Sequence, residues 1–172
     1  MRHRWTYRPG QVLAFFDPRP LPASDLRMVE RYLTPPEQAL FLRLRRSDQR
    51  HSVAVARQVA GEADLSLNER WLLIRAALLH DVGKEPHMAT LPVRVVNVLL
   101  PAPPGWLPGS LRAGVAALRS HGERGAALLR RAGTDPAVAA LVRCHEETTD
   151  ASELPEGLQP LLELLRQADA RH

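Results

Sequence analysis

A single cysteine, Cys144, stands in a chain of 172 residues. That excludes an intramolecular disulfide framework and a thiolate-only metal site, and it suits a reducing cytosol. Any metal must then be held by histidines and carboxylates. No apolar run approaches the roughly 18 to 20 residues that span a bilayer, and the opening MRHRWTYRPG leads into no signal-peptide hydrophobic stretch. Both absences argue against membrane and secreted classes and for a cytoplasmic protein. Strand-like alternation is almost missing as well. Lysine is nearly absent: of the 23 basic residues, all but Lys84 are arginine. A GC-rich genome would produce such a bias, and the one lysine is singled out by it.

Hydrophobic residues make up 45% of a chain the size of one ordinary domain, enough to bury a substantial core. The formal charge of +4 and a pI near 10.2 suggest anionic partners. The excess is spread along the chain with no basic tail, so nucleic acid has no priority.

Residues 1–23 hold four prolines and no sustained period, which predicts an irregular arm with one extended stretch near Val12–Phe16. From Ser24 onward the pattern is helical, with helices expected near 24–33, 35–46, 48–62, 67–81, 91–99, 110–120, 122–132, 135–146 and 158–170. Thr34, Pro35, Pro36 and Glu37 form a start signal: a capping Thr, Pro in the first turn, and Glu to complete a capping box. Pro101–Gly109, with four prolines and two glycines, reads as a lid-like loop. The expectation is an all-α fold, with an N-terminal arm and helical extension over 1–46 and the main domain over 47–172.

Several polar residues fall on apolar helix faces. His80 follows Leu72, Leu73, Ala76 and Ala77 at the spacing of one face. His51 shares a face with Ala54, Val55 and Val59; His121 with Ala113, Ala117 and Leu118; His145 with Val138, Leu141 and Val142; and Asp169 with Leu158, Leu161, Leu162 and Leu165. Asp81 adjoins His80. His3, His87 and His172 fail the same test. Buried imidazoles and carboxylates need partners. Each histidine taken singly fits a core residue bonded to a backbone carbonyl, while a shared metal would satisfy all of them together. Mixed imidazole and carboxylate ligands suit Fe, Mn, Zn or similar ions. The turn Asp81, Val82, Gly83, Lys84 reads as a helix stop, with Gly83 in the left-handed region and Lys84 neutralising carbonyls. Equally, Lys84 lies where its amine could contact a phosphate oxygen or a leaving group.

Taken in order, QRHSVAVA, LLHDVGK, SHGERGAALLRRAG, CHEE and the final QAD resemble the motifs of the HD superfamily of metal-dependent phosphohydrolases, in its HDIG-type branch. The resemblance covers about Ser47 to Asp169. It implies a helical bundle whose metal is held by His51, His80, Asp81 and Asp169. It further implies a second metal on His121 and His145 in dinuclear members, with Asp81 bridging, and a catalytic place for Asp81 and Lys84. Two divalent ions and two carboxylates would leave a site charge of about +2, a receptor for phosphate. Metal-activated water would then attack a phosphorylated small molecule or nucleotide.

Departures narrow the substrate. Cys144 stands where the cyclic-dinucleotide phosphodiesterases of the HD-GYP branch carry the first of two paired histidines, and no Gly-Tyr-Pro follows. Guanosine tetraphosphate hydrolases place a Glu-Asp pair after the His-Asp, where Gly83 and Lys84 occur here.

Other residues admit two readings each. Arg43, Arg45, Arg46 and Arg50, or Arg124, Arg130 and Arg131, fit either polyanion steering or solvated faces. Glu146 and Glu147, next to His145, fit either support of an imidazole or solvent exposure. Trp106 could cover a pocket. Two rivals to the enzyme stay open: a regulatory HD module that binds a nucleotide or partner without turnover, and a helical nucleic-acid binder with strongly salt-dependent affinity.

Overall fold

A computed structural model describes residues 20–84, 104–146 and 154–172, together with positions 90, 92, 93, 96, 100, 151 and 152. The arm with its extended stretch, His3, His87, Glu147 and residues 101–103 of the Pro-rich loop lie outside the described residues. So does most of the helix expected at 91–99, of which positions 92, 93 and 96 are helical.

Among the described residues the protein is all-helical, as the periodicity requires. The helices are α1 (Ala23–Tyr32), α2 (Pro35–Leu42), α3 (Arg46–Ala60), α4 (Leu67–Leu79), α5 (Gly109–Arg119), α6 (His121–Arg131), α7 (Pro136–Cys144) and α8 (Gln159–Arg171), with a short 3-10 turn at Glu156–Leu158. None of them is long and apolar enough to cross a membrane.

Local chemistry sets most of the boundaries. At α4, Ser66 accepts from the Glu69 amide, and Glu69 accepts in return from the Ser66 amide at 2.9 Å. At α7, Asp135 accepts from the Ala137 amide at 2.8 Å ahead of Pro136. Helix α6 closes with a Schellman motif: the Gly133 amide reaches Arg130 O at 3.2 Å and the Thr134 amide reaches Leu129 O at 3.0 Å. Gly133 holds φ 73°, a conformation that requires glycine.

Several boundaries differ from the periodic reading: α3 runs over Arg46–Ala60 instead of 48–62, α7 ends at Cys144 instead of 146, and α2 and α4 also stop early. Helix α2 stops at Leu42 instead of 46, because the buried Gln49 amide takes the carbonyls of Leu42 (3.2 Å) and Leu44 (2.9 Å) and turns the chain into α3. Helix α4 stops at Leu79, which leaves His80 as its C-cap and puts Asp81 in the turn beyond.

Packing pairs α3 with α4 and α6 with α7, sets α4 against α7, and lays α8 across α3 and α4. One apolar core joins them through residues such as Val55, Leu73, Leu78, Leu141 and Leu165. Phe41 of α2 and Val29 of α1 enter the same core. Glu37 accepts from the Thr34 amide at 2.8 Å, as a capping box predicts, yet it is also buried and paired with Arg75 of α4 at 2.5 Å. Burial alone would raise its pKa. The Thr34 amide and the Arg75 guanidinium outweigh that and hold it below the usual carboxylate value.

Candidate metal centre

Three helix ends deliver the central histidines, and each does so by the same local device. The last carbonyls of a helix have no intrahelical donor. His80 Nδ1 meets Ala77 O at 2.8 Å, His121 Nδ1 meets Leu118 O at 2.5 Å, and His145 Nδ1 meets Val142 O at 2.7 Å. A proton on Nδ1 satisfies the carbonyl and leaves the Nε2 lone pair aimed inward. The backbone bond and the metal are therefore not alternatives, since they use opposite nitrogens of one ring.

The Nε2 atoms converge. His80 Nε2 lies 3.2 Å from Asp81 Oδ1 and 3.6 Å from Asp169 Oδ1. His121 Nε2 lies 3.3 Å from the same Asp81 oxygen and 3.0 Å from His145 Nε2. From α3, His51 Nε2 reaches Asp169 Oδ1 of α8 at 2.7 Å. Ring centroids step from His51 to His80 (5.2 Å), His145 (5.1 Å) and His121 (4.8 Å), a row of four imidazoles. The five residues singled out by their helix faces, and Asp81 beside them, meet in one place.

Three overlapping groups have the composition and spacing to hold a divalent metal: His51, His80 and Asp81; His80, His145 and Asp169; and Asp81, His121 and His145. Within each, the ligand atoms lie no more than 4.8 Å apart. The fit has an independent sign. His80 Nε2 is fully buried yet makes no hydrogen bond, a costly arrangement for a lone pair with no cation to meet. His121 Nε2 and His145 Nε2 lie 3.0 Å apart, a separation that either a shared proton or a shared metal ion satisfies.

Electrostatics point the same way at four of the six residues. Burial, then the neighbouring His121 and His80, push the His145 pKa down to about 3. Burial, the largest effect, keeps His80 neutral as well. Asp81 stays ionised: burial would raise its pKa, but His80 and Lys84 pull it well below the carboxylate range. At Asp169 burial is likewise outweighed, by His80 and His51. Neutral imidazole and ionised carboxylate are the states a metal requires; at His51 and His121 burial is outweighed, by Asp169 and by Asp81 with Glu146, and the pKa is raised.

His51 and Asp169 are less enclosed than their apolar faces suggest. Their side chains are 25% and 34% exposed, against 1% for His80 and Asp81, so the site opens to solvent between α3 and α8. Lys84 lies 2.6 Å and 2.7 Å from the two Asp81 oxygens. Burial would lower its pKa, but Asp81, Asp48 and Asp169 raise it, and the ammonium is held charged.

The turn that carries Asp81 needs glycine for a reason other than the one expected. Gly83 does not lie in the left-handed region. A methyl group there would fall inside the His121 carbonyl and 2.6 Å from Gly125 N. Gly122 faces Arg143 O across a gap where a methyl would sit at 2.8 Å. Glycines thus let the start of α6 close on the Asp81 turn and on α7, which brings His121 to Asp81 and His145. Gly83→Ala is expected to cost about 1 to 3 kcal/mol and to weaken metal uptake. Gly105→Ala, with nothing within 4 Å, should do neither. Urea denaturation with metal analysis checks both.

Two residues support the histidines from outside the cluster. Glu146 turns to the His121 imidazole, with Oε1 3.0 Å from Nδ1. Arg166, unmarked by any motif, donates to the carbonyls of Cys144, His145 and Glu146. Arg124 donates to Ala117 O at 2.6 Å, while Arg130 and Arg131 face solvent. Trp106 is 81% exposed.

A protein-family model described as HD domain matches residues 49–172. No curated protein and no solved structure matches the chain.

Proposed function

The chain belongs to the HD-domain family, and we propose that it is a metal-dependent phosphohydrolase acting on a nucleotide or related phosphoester. HD domains are in general metal-dependent hydrolases. The observation that carries the reading is the buried His80 Nε2, which makes no hydrogen bond and stands where three His/Asp groups overlap.

On this reading His51, His80, Asp81 and Asp169 hold one ion, while His121 and His145 share Asp81 with a second. Residues 47–172 form the HD domain, with 1–46 as an N-terminal arm and helical extension. A divalent ion of the Fe, Mn or Zn kind supplies Lewis acidity toward a phosphoryl oxygen and lowers the pKa of water for attack on phosphorus. The chain supplies the rest. His51 and Asp169 border the solvent-facing side, where a phosphoester approaches. Lys84 keeps its positive charge beside Asp81 and meets the negative charge that develops on the phosphate and the leaving oxygen. The Nδ1 bonds to Ala77, Leu118 and Val142 keep the imidazoles from rotating as charge moves.

Protein purified without chelator is expected to carry one to two equivalents of transition metal. It should turn over at least one member of a panel of phosphomonoesters and phosphodiesters. Bound metal without turnover across the panel would make the domain a regulatory binding module, and absence of both would overturn the metal-centre reading.

A further inference from the structure

The C-terminal end of α7 carries a problem that its own helix cannot solve. His145 Nδ1 occupies the Val142 carbonyl, but the chain leaves the helix at Cys144, and the carbonyls that follow have no helical donors. Arg166 of α8 supplies them. Its Nη2 reaches Cys144 O at 2.6 Å and Glu146 O at 2.9 Å, and its Nε reaches His145 O at 3.2 Å.

Those three residues are a metal-ligand candidate flanked by its neighbours. One of the neighbours, Glu146, contacts the His121 ring. Arg166 also precedes Asp169 by three residues, one turn along the same helix. A single guanidinium therefore sets where His145 enters the site and where the Glu146 carboxylate meets His121.

We propose that Arg166 is the positioning residue for the His121–His145 half of the centre, holding the ring nitrogens of both histidines toward a shared ion. The proposal rests on the metal-centre reading. A planar fork with fixed donors fits three successive carbonyls in a way that a lysine ammonium, with the same charge but no fork, does not. The His51–His80 half takes its ligands from α3, from the end of α4 and, through Asp169, from α8, and none of them is among the three residues whose carbonyls Arg166 holds.

The test is stepwise titration of chelator-stripped full-length protein with Co(II), followed by the absorption of the bound ion. His121→Ala serves as the reference for loss of the second ion. Arg166→Met is expected to weaken the second ion tenfold to a hundredfold and to leave the first within about twofold of wild type. Arg166→Lys should fall between.

In parallel, long-range 1H–15N spectra of the stripped protein should show the His121 and His145 rings displaced in Arg166→Met, with those of His51 and His80 unmoved. A helix cap of purely structural value would lower Tm and change neither readout, and that outcome overturns the proposal. So does equal loss of both ions. If wild type takes up a single Co(II), the two-ion reading fails by itself and the ring spectra decide on Arg166. If the methionine variant does not fold, Arg166→Lys carries both measurements, with the same sign and smaller size.

Discussion

Asp81→Asn is expected to remove stoichiometric metal from the folded chain and to cut turnover at least about a thousandfold. Asp81 Oδ1 lies 3.2 Å from His80 Nε2 and 3.3 Å from His121 Nε2, and the residue belongs to two of the three ligand groups. One oxygen of Asp81 thus faces a histidine from each half of the row of imidazoles. Asparagine keeps the shape, so the turn and the core should survive. It loses the negative charge that two cations would share. Elemental analysis, with far-UV circular dichroism to confirm the fold, decides the matter. A folded variant with full metal content and wild-type turnover would remove Asp81 from the centre.

Lys84→Met is expected to lower turnover by roughly a hundredfold or more with metal content nearly unchanged. The ammonium sits on the Asp81 carboxylate, so its loss leaves the ligands in place and removes the positive charge that a phosphate would meet. If Lys84 merely steadied the end of α4, the variant would lose about 0.3 to 1 kcal/mol of stability and keep its turnover. Lys84→Arg divides the two catalytic possibilities. Arginine retains the charge but is too weak an acid to give up a proton readily, so a fully active arginine variant assigns an electrostatic role and an inactive one assigns proton donation. Turnover near wild type in the methionine variant, on a substrate that wild type hydrolyses, would reduce Lys84 to a helix terminator.

Helix order and the identity of the inward-facing polar residues were already legible in the linear pattern. Both are properties of neighbours three or four positions apart, where apolar residues repeat along one face and caps such as Ser66 and Asp135 act on amides within three residues. His80, His121 and His145 could be picked out because each shares its face with apolar neighbours, and they are buried. His51 and Asp169 pass the same test, yet they border solvent, because a face says which way a side chain points and not how much chain will cover it.

Contacts between segments had no such local trace. Gly83 looked like a left-handed helix stop, and its true constraint, the His121 carbonyl against it, exists only once α6 has packed on the Asp81 turn. Glu146 follows His145 but serves His121. Arg166 is one arginine among many until α8 lies beside the end of α7. The bond between His51 and Asp169 joins residues 118 positions apart. Periodicity decides which side chains face the core, and only the packing of whole helices decides which of them meet.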